Sequence, residues 1–276
     1  MDKRERTSLG GVMPTEELIV TQEGGVVTVT FNRPANMNAL STAILDEMPL
    51  ILNRTLEDDS AKVLVITGAG DRAFCAGADV GQRLASGSLF EQQTRRKLID
   101  PIGLWTSSLL NLPKPTIAAI NGVAAGAGLT IALACDIRIA SENARFTAAW
   151  IRRAMVPDGG TTALLPQVVG MAKAYEILYT GDTIDVATAE RIGLVNSIVA
   201  PEDLMKKTME LATRLATGPS VAIELIKRAV RNALTCGFES QLEFETRAQN
   251  IVRETEDFKE GINSFLKKRK AVFKGK

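Results

Sequence analysis

Asp158 stands in Ala154–Thr162, "AMVPDGGTT", between a proline and a glycine pair. A carboxylate in that setting has two uses. It can cap a helix that starts beyond the glycines, because a side-chain oxygen accepts the unpaired amides of a first turn. It can also take up a proton and return it. No other acidic residue lies between Asn143 and Ala174, so nothing nearby in sequence shares that duty.

Two glycine-rich stretches carry a different potential. "AFCAGADVG" (Ala73–Gly81) follows an apolar run and is built of small residues. Such a loop lets a ligand approach the backbone and can aim amides at an oxygen; it is equally readable as a surface turn. "INGVAAGAGLTIALACD" (Ile120–Asp136) leads through Gly122, Gly126 and Gly128 into an apolar helix. It is not G-x-G-x-x-G and lacks the downstream acidic residue of a dinucleotide site. Its helix N-terminus would favour developing negative charge, or its small residues would simply allow close packing.

Composition narrows the chemistry. The 276 residues include no histidine. Ser-His-Asp and Cys-His catalysis, histidine bases and most transition-metal sites are thereby excluded. Acid–base work near neutral pH falls to carboxylates, lysine, tyrosine or cysteine. A net charge of +1 gives no field for nucleic acid or a membrane surface. Cys75, Cys135 and Cys236 are scattered and odd in number, which suits a reducing compartment and predicts a cytoplasmic protein. "MDKRERTSLGG" lacks the apolar core of a secretory signal, and residues 1–14 read as a disordered tail. The stretch Gly122–Cys135 is too short to span a bilayer and predicts a buried helix.

The elements that must position these residues alternate. Leu18–Thr21 and Val26–Phe31 flank "QEGG" as a hairpin. Ser41 is a plausible N-cap for a helix over Thr42–Leu56, which Pro49 should kink. Lys62–Gly68, Lys114–Gly122, Cys135–Ser141 and Gly193–Ala200 read as strands. Helices are predicted over Gln92–Leu110, Ala125–Ala134, Gly160–Val169, Ala172–Thr180 and Ala187–Ile192. The pattern is an α/β fold with a mostly parallel core over residues 15–201. Residues 202–276 read as almost purely helical: Asp203–Ala216, Ser220–Leu234, Phe238–Glu254 and Glu256–Phe273. This region packs on the core or on another subunit.

Taken together, "VTVTFNRPANMNALS", "KVLVITGAGDRAFCAGADV", "KPTIAAINGVAAGAGLTIALACDIRIAS", "LYTGDTIDVATAERIGLVNSIV" and "GINSFLKKRKAVF" resemble the crotonase superfamily, the enoyl-CoA hydratase/isomerase family. They stand in family order and spacing over nearly the whole chain. The resemblance implies a spiral of repeated ββα units with a helical C-terminal trimerisation region, in trimers or hexamers. It implies an acyl-CoA substrate and no metal or redox cofactor, coenzyme A arriving with the substrate. The amides of Ala78 and Ala127 would hold the thioester oxygen as an enolate, a kind of donor worth roughly 10²–10³ in rate apiece. Met37, Ala39, Ala76, Gly77, Asp79, Val80, Gly126, Thr130 and Trp150 would line the substrate site. Phe265 and Lys268 would reach CoA across a subunit interface, and Arg33, Lys114, Arg152 and Arg153 are candidates for its phosphates.

The departures from the family matter as much. Hydratases of this family carry two glutamates; here their places hold Thr130 and Trp150. Asp158 instead matches an acidic position of several enoyl-CoA isomerases and of ring-epoxide isomerases. An isomerase needs one base, and burial in an apolar pocket raises a carboxyl's pKa towards neutrality. The expectation is therefore a double-bond isomerase with Asp158 as proton shuttle. Alternatives are hydration by atypical residues, a non-catalytic acyl-CoA binder, and an aryl-CoA enzyme. The last is similar to 4-chlorobenzoyl-CoA dehalogenase, which pairs a Trp with a nucleophilic Asp eight residues later but also uses a histidine.

Overall fold

The computed structural model describes residues 16–85 and 100–276. The tail over residues 1–14 and the first part of the helix expected from Gln92 lie outside the described residues. A hairpin opens the fold: β1 (Leu18–Glu23) pairs antiparallel with β2 (Val26–Phe31). The turn is Gly24–Gly25, at φ 54° and 82°, the doubly positive backbone that a two-residue hairpin needs. Ser41 then caps α1 (Thr42–Glu57), its hydroxyl accepting from the Ile44 amide; the helix continues through Pro49.

From there a strand–strand–helix unit repeats. β3 (Val63–Gly68) leads to β4 (Ala73–Cys75) and α2 (Val80–Ala85). After α3 (Pro101–Asn111), β5 (Thr116–Ile120) leads to β6 (Val123–Ala125) and α4 (Ala127–Ala134). β7 (Ile137–Ser141) and β8 (Arg145–Thr147) follow, then α5 (Thr161–Val169), α6 (Met171–Thr180), β9 (Thr183–Asp185), α7 (Val186–Arg191) and β10 (Ser197–Val199). The first strand of each unit joins a sheet of order β1-β2-β3-β5-β7-β10, parallel from β2 onward. The second joins a smaller sheet, β4-β6-β8-β9. This is the ββα spiral of the crotonase fold.

The large sheet is covered on both faces, which is why its strands read as continuous apolar runs. Leu64, Ile66, Ala118 and Ile120 face the main core; Val63, Val65, Ile117 and Ala119 face the opposite way, against Leu204 and Ala212 of α8 (Leu204–Ala216). α4 is buried on every side, so its sequence carries no polar face. α9 (Ser220–Asn232), α10 (Phe238–Glu254) and α11 (Glu256–Leu266) complete the chain.

Three expectations shift. The strand expected over Gly193–Ala200 is confined to Ser197–Val199; Leu194 and Val195 instead finish α7, their amides bonded to the Ala189 carbonyl. The last helix stops at Leu266 rather than Phe273. Beyond it the chain folds back: Arg269 pairs with Glu260, and the Lys274 and Gly275 amides donate to Asp257. Lys114, expected near CoA phosphates, is spent on α1. Its Nζ donates to the carbonyls of Thr55, Leu56 and Asp58, a cation on a helix C-terminus. Among the described residues no helix is long and apolar enough to cross a membrane.

Candidate active site

The two glycine-rich stretches meet. Gly77 takes φ 96°, and a Cβ there would lie 2.9 Å from the Ala125 carbonyl oxygen and 3.3 Å from the Ala127 nitrogen. Only glycine fits that approach. The Ala78 amide and the Ala127 amide donate to nothing among the described residues. Their neighbours do bond: Leu40 donates to Gly77 and Asp79 to Leu40, framing Ala78, while Gly126 donates to Thr147. Two unspent amides therefore sit on adjoining turns, Ala127 being the first residue of α4 and backed by its dipole.

The loop Arg33–Ser41 braces the first turn. The Ala76 amide donates to Met37, which with Asn38 takes a left-handed conformation. Fully buried Asn38 donates to the Ala69 and Ala73 carbonyls and accepts from the Arg33 amide. Backbone bonds thus join Met37 to Ala76 and Leu40 to Gly77 and Asp79, with Ala39 and Val80 adjoining them in sequence. Arg33 joins Glu17 at 3.0 Å and Asp79 at 2.9 Å, and Asp79 also accepts from the Gln82 amide at the start of α2. Its charge, a candidate for CoA phosphate, is already met by two carboxylates.

The Gln82 amide first, and then Arg33, hold the Asp79 carboxyl below the usual range. A lowered folded pKa adds stability above the unfolded value, about pH 4, and loses it as pH falls through the folded value. Asp79→Asn is therefore expected to melt earlier than the wild type at pH 7, with the two curves converging in acid. Thermal unfolding across that range checks it.

Asp158 does not cap α5. The N-cap is Gly160, at φ 91°, and no side chain caps it. The left-handed glycines Gly159 and Gly160 fill the turn between Asp158 and the helix, so the carboxylate is turned elsewhere. Trp150 Nε1 donates to Asp158 Oδ1 at 3.0 Å. The indole is 6% exposed. The Asp158 carbonyl accepts from the Thr161 amide and hydroxyl. Thr130, one turn along α4 from Ala127, contacts Thr161 hydroxyl to hydroxyl at 2.6 Å. Asp158, Trp150, Thr130 and the α4 N-terminus thus form one connected group.

Burial pushes the Cys75 and Cys135 thiols up to about 12, so neither supplies thiolate near neutral pH. Tyr175 and Tyr179 stack on each other on α6, partly exposed. Arg152 and Arg153 are exposed in the turn after Trp150. Phe265 and Lys268 belong to the α11 end, which packs on α10, and Phe265 is 79% exposed. They are not drawn to the Ala78 and Ala127 turns within this chain. Sequence reading missed Asn38 and Thr161. A threonine three residues after an aspartate is a local side-chain-to-backbone signal that could have singled out the latter.

The enoyl-CoA hydratase/isomerase family model matches residues 21–276. The chain belongs to that family. It is 35% identical to a short-chain-enoyl-CoA hydratase of Clostridium acetobutylicum, over 94% of this chain and 97% of that one. It is 37% identical to the 1,2-epoxyphenylacetyl-CoA isomerase of Escherichia coli, over 92% and 97%. The crystal structure of an enoyl-CoA hydratase from Bacillus anthracis superposes with a TM-score of 0.89 at 35% identity, covering 94% of this chain and all of that one. Family membership leaves hydratase and isomerase chemistry both open, and names of both kinds stand among the relatives.

Proposed function

We propose that the protein is an acyl-CoA isomerase that moves a double bond from the 3- to the 2-position of an enoyl-CoA, or performs a related ring isomerisation, through Asp158. The observation that carries this reading is the Asp158 carboxylate, joined among the described residues to the helix that presents the Ala127 amide, with threonine and tryptophan where a hydratase would need glutamates. Asp158 removes a proton from C2. The electron pair runs into the thioester oxygen, where the Ala78 and Ala127 amides stabilise it. The dienolate then takes the proton back at C4, leaving the double bond between C2 and C3. Nothing is gained or lost overall, so no water-activating group, metal or redox cofactor is required.

The Trp150 indole fixes the Asp158 carboxylate without taking its charge. A hydrogen bond to a charged group contributes about 1.5–3 kcal/mol, so Trp150→Phe, which keeps a ring but loses the N–H, is expected to lower kcat about tenfold to a hundredfold. Steady-state kinetics beside a melting curve checks this. The same hydrogen bond suits a carboxylate nucleophile on an aryl-CoA. That alternative needs a base to activate water, and the chain has no histidine. Hydrolysis of 4-chlorobenzoyl-CoA, with ¹⁸O from labelled water entering Asp158, would favour it.

We also take the protein to be cytoplasmic and to assemble as a trimer or a pair of trimers. Exposed Ile226, Val230, Phe238 and Leu242 on α9 and α10 support self-association. Exposed Phe265 and Lys268 suit service to a neighbour's site. The direct test of the reaction supplies 3-enoyl-CoA and 2-enoyl-CoA separately. Conversion of the first to the second, with no 3-hydroxyacyl-CoA from either, is expected. Rapid hydration of 2-enoyl-CoA would overturn the reading.

A further inference from the structure

Thr130 and Thr161 are both fully buried, yet neither hydroxyl is idle. Each has one proton to give. Thr161 Oγ1 donates to the Asp158 carbonyl at 2.9 Å. It therefore accepts at the 2.6 Å contact, and Thr130 is the donor there. The other acceptor in reach of Thr130, the Gly126 carbonyl, is 3.4 Å away and already takes the Thr130 amide at 3.1 Å. The shorter contact keeps the proton.

The methyl branch of Thr130 is used as well. A Cβ on Gly159 would come within 3.0 Å of Thr130 Cγ2 and 2.7 Å of Ile102 Cγ2. Thr130 thus holds the Asp158 loop twice, by its hydroxyl through Thr161 and by its methyl beneath Gly159. A β-branched side chain in a helix is stiff at χ1, so both holds are set by the α4 backbone. Ala127 lies three residues earlier on that helix, about 4.5 Å along its axis at 1.5 Å per residue.

We propose that Thr130 and Thr161 are positioning residues, a two-hydroxyl tie that references Asp158 to the helix presenting the Ala127 amide. The inference rests on Asp158 being the proton carrier. A carboxylate that takes a proton at one carbon and returns it two carbons away must keep its place relative to the fixed thioester oxygen. The tie makes carrier and oxyanion donor parts of one rigid body. Both hydroxyls are spent within the tie rather than on the proton transfer, and Thr130, which the resemblance placed along the substrate site, is fully buried.

The test measures kcat, KM and melting for Thr130→Val, Thr161→Val, the double variant, Thr130→Ser, Thr161→Ser and Asp158→Asn, with 3-enoyl-CoA. A misplacement near 1 Å costs up to about a hundredfold. Each valine variant is therefore expected to lose about tenfold or more in kcat with KM little changed. The double variant should lose no more than the worse single one, because both cut one tie. Thr161→Ser should restore kcat, since it keeps the hydroxyl. If a valine variant does not fold, Thr161→Ala deletes the same hydroxyl without adding a buried methyl, and the same loss is expected. Full kcat in the hydroxyl-deleted variants beside an inactive Asp158→Asn would overturn the tie alone. So would Thr161→Ser losing as much as Thr161→Val. An active Asp158→Asn would overturn the proton carrier and the tie with it.

Discussion

Asp158→Asn is expected to lower isomerase turnover by about 10²–10⁴-fold, the usual weight of a positioned base, while CoA-ester binding stays nearly intact. The carboxamide has the same shape, and its oxygen can still accept from Trp150 Nε1, 3.0 Å away. What it loses is the capacity to carry a proton. Binding of a non-reactive acyl-CoA followed by calorimetry, beside kcat for the 3-enoyl substrate, separates the two effects. Wild-type turnover in the variant would remove Asp158 from the chemistry. Lost binding together with lost turnover would point to a collapsed site instead.

Gly128→Ala is expected to act through the backbone. A Cβ there would lie 2.0 Å from the Cys75 carbonyl oxygen and 2.8 Å from its carbon. No side chain can rotate to relieve that, so α4 or β4 must shift. Ala127 immediately precedes Gly128, and Ala76–Ala78 immediately follow Cys75, so the shift parts the two unspent amides. Overpacking costs typically about 1–3 kcal/mol and more where nothing yields. Loss of one oxyanion donor costs about 10²–10³ in rate. A lowered urea midpoint together with at least a hundredfold loss of kcat is therefore expected. Gly237→Ala is the control, since Gly237 is at φ −74° and nothing lies within 4 Å of its added Cβ. Equal behaviour of the two variants would contradict the close approach of α4 and β4.

The sequence carried the large sheet well and the small sheet poorly. "VLVITG" and "TIAAI" are apolar on both faces because α8 covers one and the main core the other. β4, β6, β8 and β9 have three residues each and sit inside Ala- and Gly-rich or mixed stretches. No alternation develops over three residues, so they read as loop. Leu194 and Val195 looked like strand because they are apolar and buried, but burial comes from closing α7 rather than from pairing. Lys114 looked available because a cation's partners on a distant helix end leave no local trace.

The site was legible in parts. The two glycine stretches and Asp158 stood out by residue type, and the family resemblance assigned them roles. Their meeting was not legible: the backbone of Gly77 comes so near Ala127 that a Cβ on it would lie 3.3 Å from the Ala127 nitrogen, and the two residues are fifty positions apart. Asp158 as an N-cap was a reasonable local inference. It failed because two left-handed glycines intervene and Gly160 takes the cap position. The chain Trp150–Asp158–Thr161–Thr130 spans three elements; the Trp–Asp and Asp–Thr spacings left marks in the sequence, while the Thr161–Thr130 contact across thirty-one positions left none.

The most direct test of a single-carboxylate proton shuttle is isotopic. The wild-type protein and Asp158→Asn are each given 3-enoyl-CoA in deuterated water, and the products are read by mass spectrometry and NMR. The expected result is 2-enoyl-CoA from the wild type, with deuterium at C4 to the extent that the carboxyl exchanges before returning its proton, and neither product nor exchange from the variant. Deuterated 3-hydroxyacyl-CoA from the wild type, or unchanged isomerisation by Asp158→Asn, would contradict it.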